Sequence, residues 1–451
     1  MFFEKRLDMN IKEKAKQFAI AAHKNQIRKN EPDKPMIMHP ISVGMLLEEY
    51  GYDNDVVAAG YLHDVVEDTK YTIEDIEKIF GPNIANLVKS ASEPDRSLSW
   101  TLRKQHTIDV TKELSFENKM VVCADKINNL EDLMILFQKT GIRDFSCFKE
   151  GEEQQKWYYT GVYESLVFNQ DSELPIFQRL KHVLDVVFYD KKNEYLEDLF
   201  SSDINYYKCL ISLHAQKMEL KRLNNLCSFS KPFVIEFCGT PRTGKTTILN
   251  NLYDFFKKGG FFISLIEELT TSVYYKETLL PQMKDASIEE VNFEIIRETE
   301  KQLREAISKK GEIILIDRSL NDRFIWNHRK FVSGDMTEKS YKQATEHYSV
   351  VSKDLIDMLV IGYTDPQTAL KRDYMNSLAL EERKFLKYLN IDEYNKSMQY
   401  SMDIFEHSVN VVYRLNTTDI SPRDSSVLIA ENIMSVMRKK YIEAFNNEVN
   451  K

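Results

Sequence analysis

Residues 231–258, KPFVIEFCGTPRTGKTTILNNLYDFFKK, leave the chain little choice of local fold. A short apolar, β-rich run ends at Gly239, a loop with a second glycine at Gly244 follows, and from Lys245 apolar residues recur at helical spacing. Residues 239–246 fit G-x-x-x-x-G-K-T in the strand–loop–helix context that gives this motif its meaning. Its glycines let backbone N–H groups approach phosphate oxygens. Lys245 can reach the outer phosphates of a nucleoside triphosphate, and the Thr246 hydroxyl can hold magnesium. Arg242, Thr243 and Thr247 complete the stretch expected to hold ATP or GTP.

Further strand-like runs follow at FFISLIEE, EIILIDRS, DMLVIGYT and NVVYRLNT, separated by helical stretches such as IEEVNFEIIRETEKQLREAISKK. Strands alternating with helices predict a parallel α/β sheet over residues 231–451. Asp317 ends one of these strands, where it can reach magnesium directly or through water, and Arg318 then lies beside the transferring phosphate.

The chain before residue 231 has a different grain. From residue 11 to about 140 the apolar positions recur at helical spacing, with stops at Gly51, at Gly81 with Pro82 and at residues 92–97, so residues 1–190 are expected to form an all-α domain. The more polar residues 191–230 read as a helical connector. A length of 451 residues suits such a division into two or more units. Within the helical part, GYLHDVVEDT at 60–69 is costly to bury: on a helix, His63 with Glu67 and Asp64 with Asp68 project from neighbouring positions. A divalent cation is the most direct compensation, and imidazole with carboxylate suits a first-row metal. His39 and Asp125, each set in an apolar helical run, can complete an N/O site with open positions for water and phosphate.

Five cysteines without close paired spacing suggest neither a disulfide framework nor a zinc site, and no apolar run reaches membrane-spanning length. A soluble cytoplasmic protein is expected. The formal charge of −9 argues against a surface built for long nucleic acid. Small-molecule nucleotides are the expected partners, and a homo-oligomer is compatible with the sequence.

Taken in order, the blocks AAHKNQIRK, HPISVGMLLEEYG, AGYLHDVVEDT, IFGPNIANLVKSAS and CADKINNLEDL, with the later Trp157 and VYESL, closely resemble the hydrolases of guanosine tetraphosphate in the HD superfamily, including the small alarmone hydrolases and the hydrolase half of the RelA/SpoT family. The resemblance covers roughly residues 11–165 and implies metal ligands at His39, His63, Asp64 and Asp125, with manganese or another first-row metal. It further implies that Glu67 and Asp68 activate water and handle protons, with Asn129 one helical turn after the last ligand, and that the basic pair Arg28 and Lys29 lies near the nucleotide. The segment from Arg28 to His39 is about two residues longer than the usual family pattern, which leaves the identity of the nucleotide open.

Residues 232–440 similarly resemble the thymidylate kinase and deoxynucleoside kinase branch of P-loop kinases. That likeness implies a lid helix carrying Arg372 and Arg383 and a catalytic glutamate at Glu267 or Glu268 that accepts the proton of the substrate hydroxyl. Together the two halves predict a metal-dependent pyrophosphohydrolase fused to a nucleoside or nucleotide kinase that uses Mg2+ and ATP. Two other readings remain: a P-loop domain that senses nucleotide and regulates the hydrolase without transferring phosphate, as in a stress or phage-defence effector, and a helical domain that cleaves other nucleotides or nucleic acid ends.

Overall fold

The computed structural model describes residues 10–28, 31–91, 98–140, 145, 148, 150–188, 204–227, 229, 231–309, 311–377 and 388–449. They form two compact units, Met1–Cys227 together with Arg438–Lys451, and Ser228–Met437. The described part of the expected connector is a helix, Ile204–Leu226, which belongs to the first unit. Buried ion pairs tie it there: Lys34 Nζ lies 2.9 Å from Glu219 Oε1, and Arg222, almost wholly enclosed, lies 3.8 Å from Glu131.

Among the described residues the first unit is helical with one departure, a two-stranded antiparallel hairpin of β1 (Ile27–Arg28) and β2 (Glu31–Pro35). It falls in the segment whose length departs from the family pattern, and Pro32 and Pro35 withhold the N–H groups that a helix there would need. Two helices, Met38–Glu49 and Asn54–Leu62, form the centre of the unit, and most of their residues are buried. They approach backbone to backbone. A Cβ on Gly44 would meet the Tyr61 ring at 2.3 Å, and one on Gly60 would lie 3.0 Å from the Gly44 Cα, so both positions require glycine. This close approach brings His39, in the first turn of one helix, near His63 at the end of the other.

The second unit is built on five parallel strands, β3 (Phe233–Gly239), β4 (Ile263–Ile266), β5 (Ile313–Asp317), β6 (Met358–Tyr363) and β7 (Val411–Asn416), in the order β4-β5-β3-β6-β7. All five strand expectations are met, and the domain is the expected α/β type. β3 is central and buried along its whole length. Side chains of β3 alternate between the two faces of the sheet. Val234 and Cys238 join Ile314, Ile316, Leu359 and Ile361 beneath Phe324, Tyr348 and Phe405 from the covering helices. Phe324 is fully enclosed, and its truncation to alanine would cost about 3–5 kcal/mol.

Candidate functional site

His63 and Asp64 do not lie on one unbroken helix as expected. The Asn54–Leu62 helix ends, His63 caps it, and Asp64 begins the next turn, Val65–Asp68. The break has a geometric consequence. Adjacent residues of a continuous helix diverge, whereas here both converge on one centre. His63 Nε2 lies 3.2 Å from Asp64 Oδ1 and 3.8 Å from Asp125 Oδ1. His39 Nε2 lies 3.1 Å from Asp125 Oδ1 and 3.6 Å from Asp64 Oδ2. The four sequence-predicted ligands are thus brought together from three helix ends and the middle of the Phe116–Thr140 helix.

The outer hydrogen bonds fix what these groups offer. His39 Nδ1 donates to Asn128 Oδ1 at 2.6 Å, and His63 Nδ1 donates to the Gly60 carbonyl at 2.9 Å. With the protons held on Nδ1, both Nε2 lone pairs turn inward, only 3.2 Å apart and flanked by two carboxylates. Such a cluster calls for positive charge at its centre. Ligand atoms of His39, His63 and Asp125 all lie within 4.8 Å of one another, and with Asp64 the donor set fits a first-row divalent metal. Burial opposes charge on His63, yet Asp64 and Asp125 outweigh it and raise its pKa. Burial would likewise raise Asp125, but Lys126 and the two histidines hold it well below the usual carboxylate range.

Asn129 Nδ2 donates to Asp125 Oδ1 at 2.6 Å and lines a cavity of about 500 Å3 with Arg28, Met36, Asp68, Asp132 and Tyr159. Glu67 is half-buried and off that wall, while exposed Asp68 is on it; Gln26 Nε2 donates to the Asp68 carbonyl at 2.7 Å. Lys29 lies outside the described residues. Sequence reasoning missed Lys126, whose Nζ is 2.6 Å from Asp125 Oδ2, together with Asn128, Asp132 and Tyr159. A signal was present. Asp125, Asn128, Asn129 and Asp132 fall at i, i+3, i+4 and i+7, a polar stripe along one face of the Phe116–Thr140 helix.

The second unit builds its site from one contiguous turn. Gly239 has φ 126° and its Cβ would strike the Gly362 carbonyl oxygen at 1.8 Å, so the turn out of β3 needs glycine. Gly244, with φ 87°, caps the Lys245–Lys258 helix. Lys245 Nζ donates to the carbonyls of Gly239 at 3.2 Å and Thr240 at 3.0 Å; burial, and then Arg318, push its pKa down to about 8. Thr246 Oγ1 donates to Asp317 Oδ2 at 3.3 Å, so the two residues expected at magnesium are adjacent. A cavity of about 850 Å3 takes residues 242–247, Glu267, Glu268, Asp317, Arg318 and Arg372 into its wall.

Arg318 has a left-handed backbone, φ 56°, a strain that the surroundings must hold. Buried Glu236 on β3 does part of this, accepting from the backbone N–H of Ser319 at 2.8 Å and of Asn321 at 2.9 Å at the start of the Leu320–Val332 helix. The Arg318 side chain lies 3.7 Å from Asp322 and 3.8 Å from Glu268. Asp322 in turn accepts from the Tyr394 hydroxyl at 2.6 Å and from Trp326 Nε1 at 2.8 Å. Glu236 and Asp322 were missed; a lone acid in an apolar strand and an acid four residues after Arg318 were the available signals. Geometry separates the two glutamates: Glu267 is exposed, whereas Glu268 sits 3.8 Å from both Arg318 and Arg323. Arg372 donates to the carbonyls of Thr417 at 2.5 Å and Arg242 at 3.3 Å, which fixes it at the loop. Arg383 lies outside the described residues.

Comparison with known proteins bears on the first unit. The HD domain family matches residues 15–140. The guanosine-3′,5′-bis(diphosphate) 3′-pyrophosphohydrolase MESH1 of Drosophila melanogaster is 39% identical over 121 residues, covering 26% of this chain and 67% of the relative. Its Homo sapiens counterpart is 36% identical over 173 residues, covering 38% of this chain and 90% of the relative. The chain thus spans about two thirds of the fly protein. A solved structure of deoxyadenosine kinase from M. mycoides aligns over 45% of this chain and 100% of that one, at 19% identity and a TM-score of 0.34, too low to build on.

Proposed function

This chain belongs, through its first unit, to the HD-domain family of the MESH1 guanosine-3′,5′-bis(diphosphate) 3′-pyrophosphohydrolases, and on that premise we propose that the unit is a metal-dependent pyrophosphohydrolase of guanosine tetraphosphate or a closely related nucleotide. The observation that carries this reading is the pair of inward-facing Nε2 atoms, 3.2 Å apart, between Asp64 and Asp125. A metal ion held by His39, His63, Asp64 and Asp125, manganese being the first choice, would lower the pKa of water and neutralise phosphate oxygens. The protein's own residues supply the rest. Asp68, on the cavity wall, takes the proton from the attacking water, with Glu67 as the second acid of the pair. Asn129 orients Asp125 and reaches the substrate side of the cavity. Arg28 draws phosphate oxygens inward, and Tyr159 and Met36 offer apolar surface to the base. Water adds to the phosphorus attached to O3′, the P–O3′ bond breaks, pyrophosphate leaves and O3′ gains a proton.

The second unit is proposed to bind Mg2+ and ATP at residues 239–247 and to transfer phosphate to a nucleoside or nucleotide, with Glu268 as base in preference to Glu267 because of its two arginine neighbours. One observation favours the alternative, in which nucleotide in this unit regulates the hydrolase. Residues 438–451, which follow the P-loop unit in the chain, are part of the hydrolase unit. No described helix is long and apolar enough to cross a membrane, which is compatible with the proposed cytoplasmic setting.

The hydrolase reading is tested by incubating the protein with manganese and guanosine tetraphosphate and resolving the products by anion exchange. GDP and pyrophosphate from the wild type but not from Asp64→Ala are expected; equal release from both would overturn the assignment. Phosphate transfer to any member of a nucleoside panel supports the kinase, while an ATP-dependent hydrolase rate without transfer supports the switch.

A further inference from the structure

Arg28 is held by a chain of charges that begins on the wall of its cavity and runs beyond it. Its Nη2 lies 2.6 Å from Asp132 Oδ2, and the other oxygen of the same carboxylate accepts from Lys34 Nζ at 2.8 Å. Lys34 is buried and reaches on to Glu219 Oε1 at 2.9 Å, on the Ile204–Leu226 helix. Glu219 completes the chain of charges by accepting from Arg438 at 3.2 and 3.4 Å. Lys34 belongs to β2 of the hairpin, and Glu219 to the segment expected to be a mere connector. Burial would raise both carboxyls, yet Lys34 and its fellow cations hold each below the usual range, so both are ionised.

We propose that Glu219 is a positioning residue for the nucleotide cavity of the first unit, acting through Lys34 on Asp132 and through Asp132 on Arg28. Glu219 is not on the cavity wall; Arg28 and Asp132 are. The physical logic is a divided ammonium. While Lys34 is shared between two carboxylates, Asp132 keeps enough of its charge to hold Arg28 at the wall, and yet not so much that the guanidinium is lost to phosphate. Without the Glu219 carboxylate the whole Lys34 charge falls on Asp132 and the hold on Arg28 weakens. Without Lys34 the network resolves into two separate pairs, Arg28 with Asp132 and Arg438 with Glu219, and the hold tightens. The two substitutions therefore act in opposite directions. A structural role alone would loosen the cavity in both.

The test uses the full chain and a probe that needs no substrate. Phenylglyoxal labels guanidinium groups, and its rate at Arg28 is read by peptide mass spectrometry. Glu219→Gln is expected to label about tenfold faster than the wild type, the loss of one buried charge-assisted hydrogen bond, and Lys34→Met slower. The double variant should follow Lys34→Met, because Lys34 is the residue that bridges Glu219 to Asp132. Under the proposed hydrolase reading, on which the choice of cavity rests, KM for guanosine tetraphosphate moves in both variants while manganese affinity stays fixed. Faster labelling in both variants, or no change in either, would overturn the proposal. If Glu219→Gln fails to fold, slower labelling in Lys34→Met still supports it and faster labelling sinks it. A wild type that cleaves no guanosine tetraphosphate would defeat the hydrolase reading and leave the labelling result standing.

Discussion

The two candidate sites are built for phosphate, as proposed, by opposite constructions. In the second unit the proposed cradle is nine successive residues, 239–247, leading into a helix N-terminus, where backbone N–H groups would do most of the work. In the first unit the cluster is made of side chains from distant segments, aimed by second-layer hydrogen bonds from Asn128, Gly60 and Asn129. A backbone cradle is specified where it stands. A side-chain cluster is only as good as the packing that brings its pieces together, here the contact of Gly44 with Gly60.

That contrast predicts different sensitivities. Asp64→Ala removes a proposed ligand and should lower hydrolysis about 1,000-fold or more, the several kcal/mol that a metal contributes to charge stabilisation. ATP binding to the second unit should be unchanged in the same protein. Loss of both would break the view of two separate sites. Lys245→Ala should weaken ATP binding by about 100-fold, close to the 3 kcal/mol of a charged hydrogen bond, as measured by calorimetry. The hydrolase rate of that variant then decides between kinase and switch.

Stability gives a third contrast. Burial, against the hydrogen bonds of Asn321 and Ser319, pushes Glu236 up to about 7 from 4.5. The folded unit therefore keeps a proton that the unfolded chain releases between these values. Its stabilisation is full below pH 4.5 and is lost as pH rises through 7, a change of at most about 3 kcal/mol. Thermal unfolding of the second unit followed from pH 4.5 to 8 should show this slope, and Glu236→Gln should flatten it; an unchanged slope in the variant would assign the effect elsewhere. The smallest effect belongs to the second layer. Asn128→Leu frees the His39 ring and should lower manganese affinity about 10- to 100-fold, with hydrolysis restored at high metal. If added manganese leaves the variant inactive, Asn128 does more than orient the ring.

The same contrast decided what was legible in the sequence. The five strands and the P-loop could be placed from residues 231–451 alone, because periodicity and a contiguous motif are local properties. His39, His63, Asp64 and Asp125 could be singled out as costly ionisable groups in a helical pattern, and the resemblance of ordered blocks then joined them into one set; local propensity gave no hint of the helix break between His63 and Asp64 that lets adjacent residues share a centre. The β1–β2 hairpin escaped because its strands are too short for any alternation to register. Glu219 was out of reach altogether. On its own helix it is one acid among many polar residues, and its meaning comes from Lys34 and Arg438 at opposite ends of the chain.

Arg438 also sets a schedule. A ribosome makes Lys34, Asp132 and Glu219 before the second unit, and Arg438 only after residues 228–437 have been completed. Domains generally fold in the order of their synthesis, but this one stays short of its last charge until the neighbour has emerged. A chain that stops early, by truncation or by stalling, would carry the four candidate metal ligands with Arg438 missing from the Arg28 network. Completion of the Arg28 network therefore waits on synthesis of the second unit.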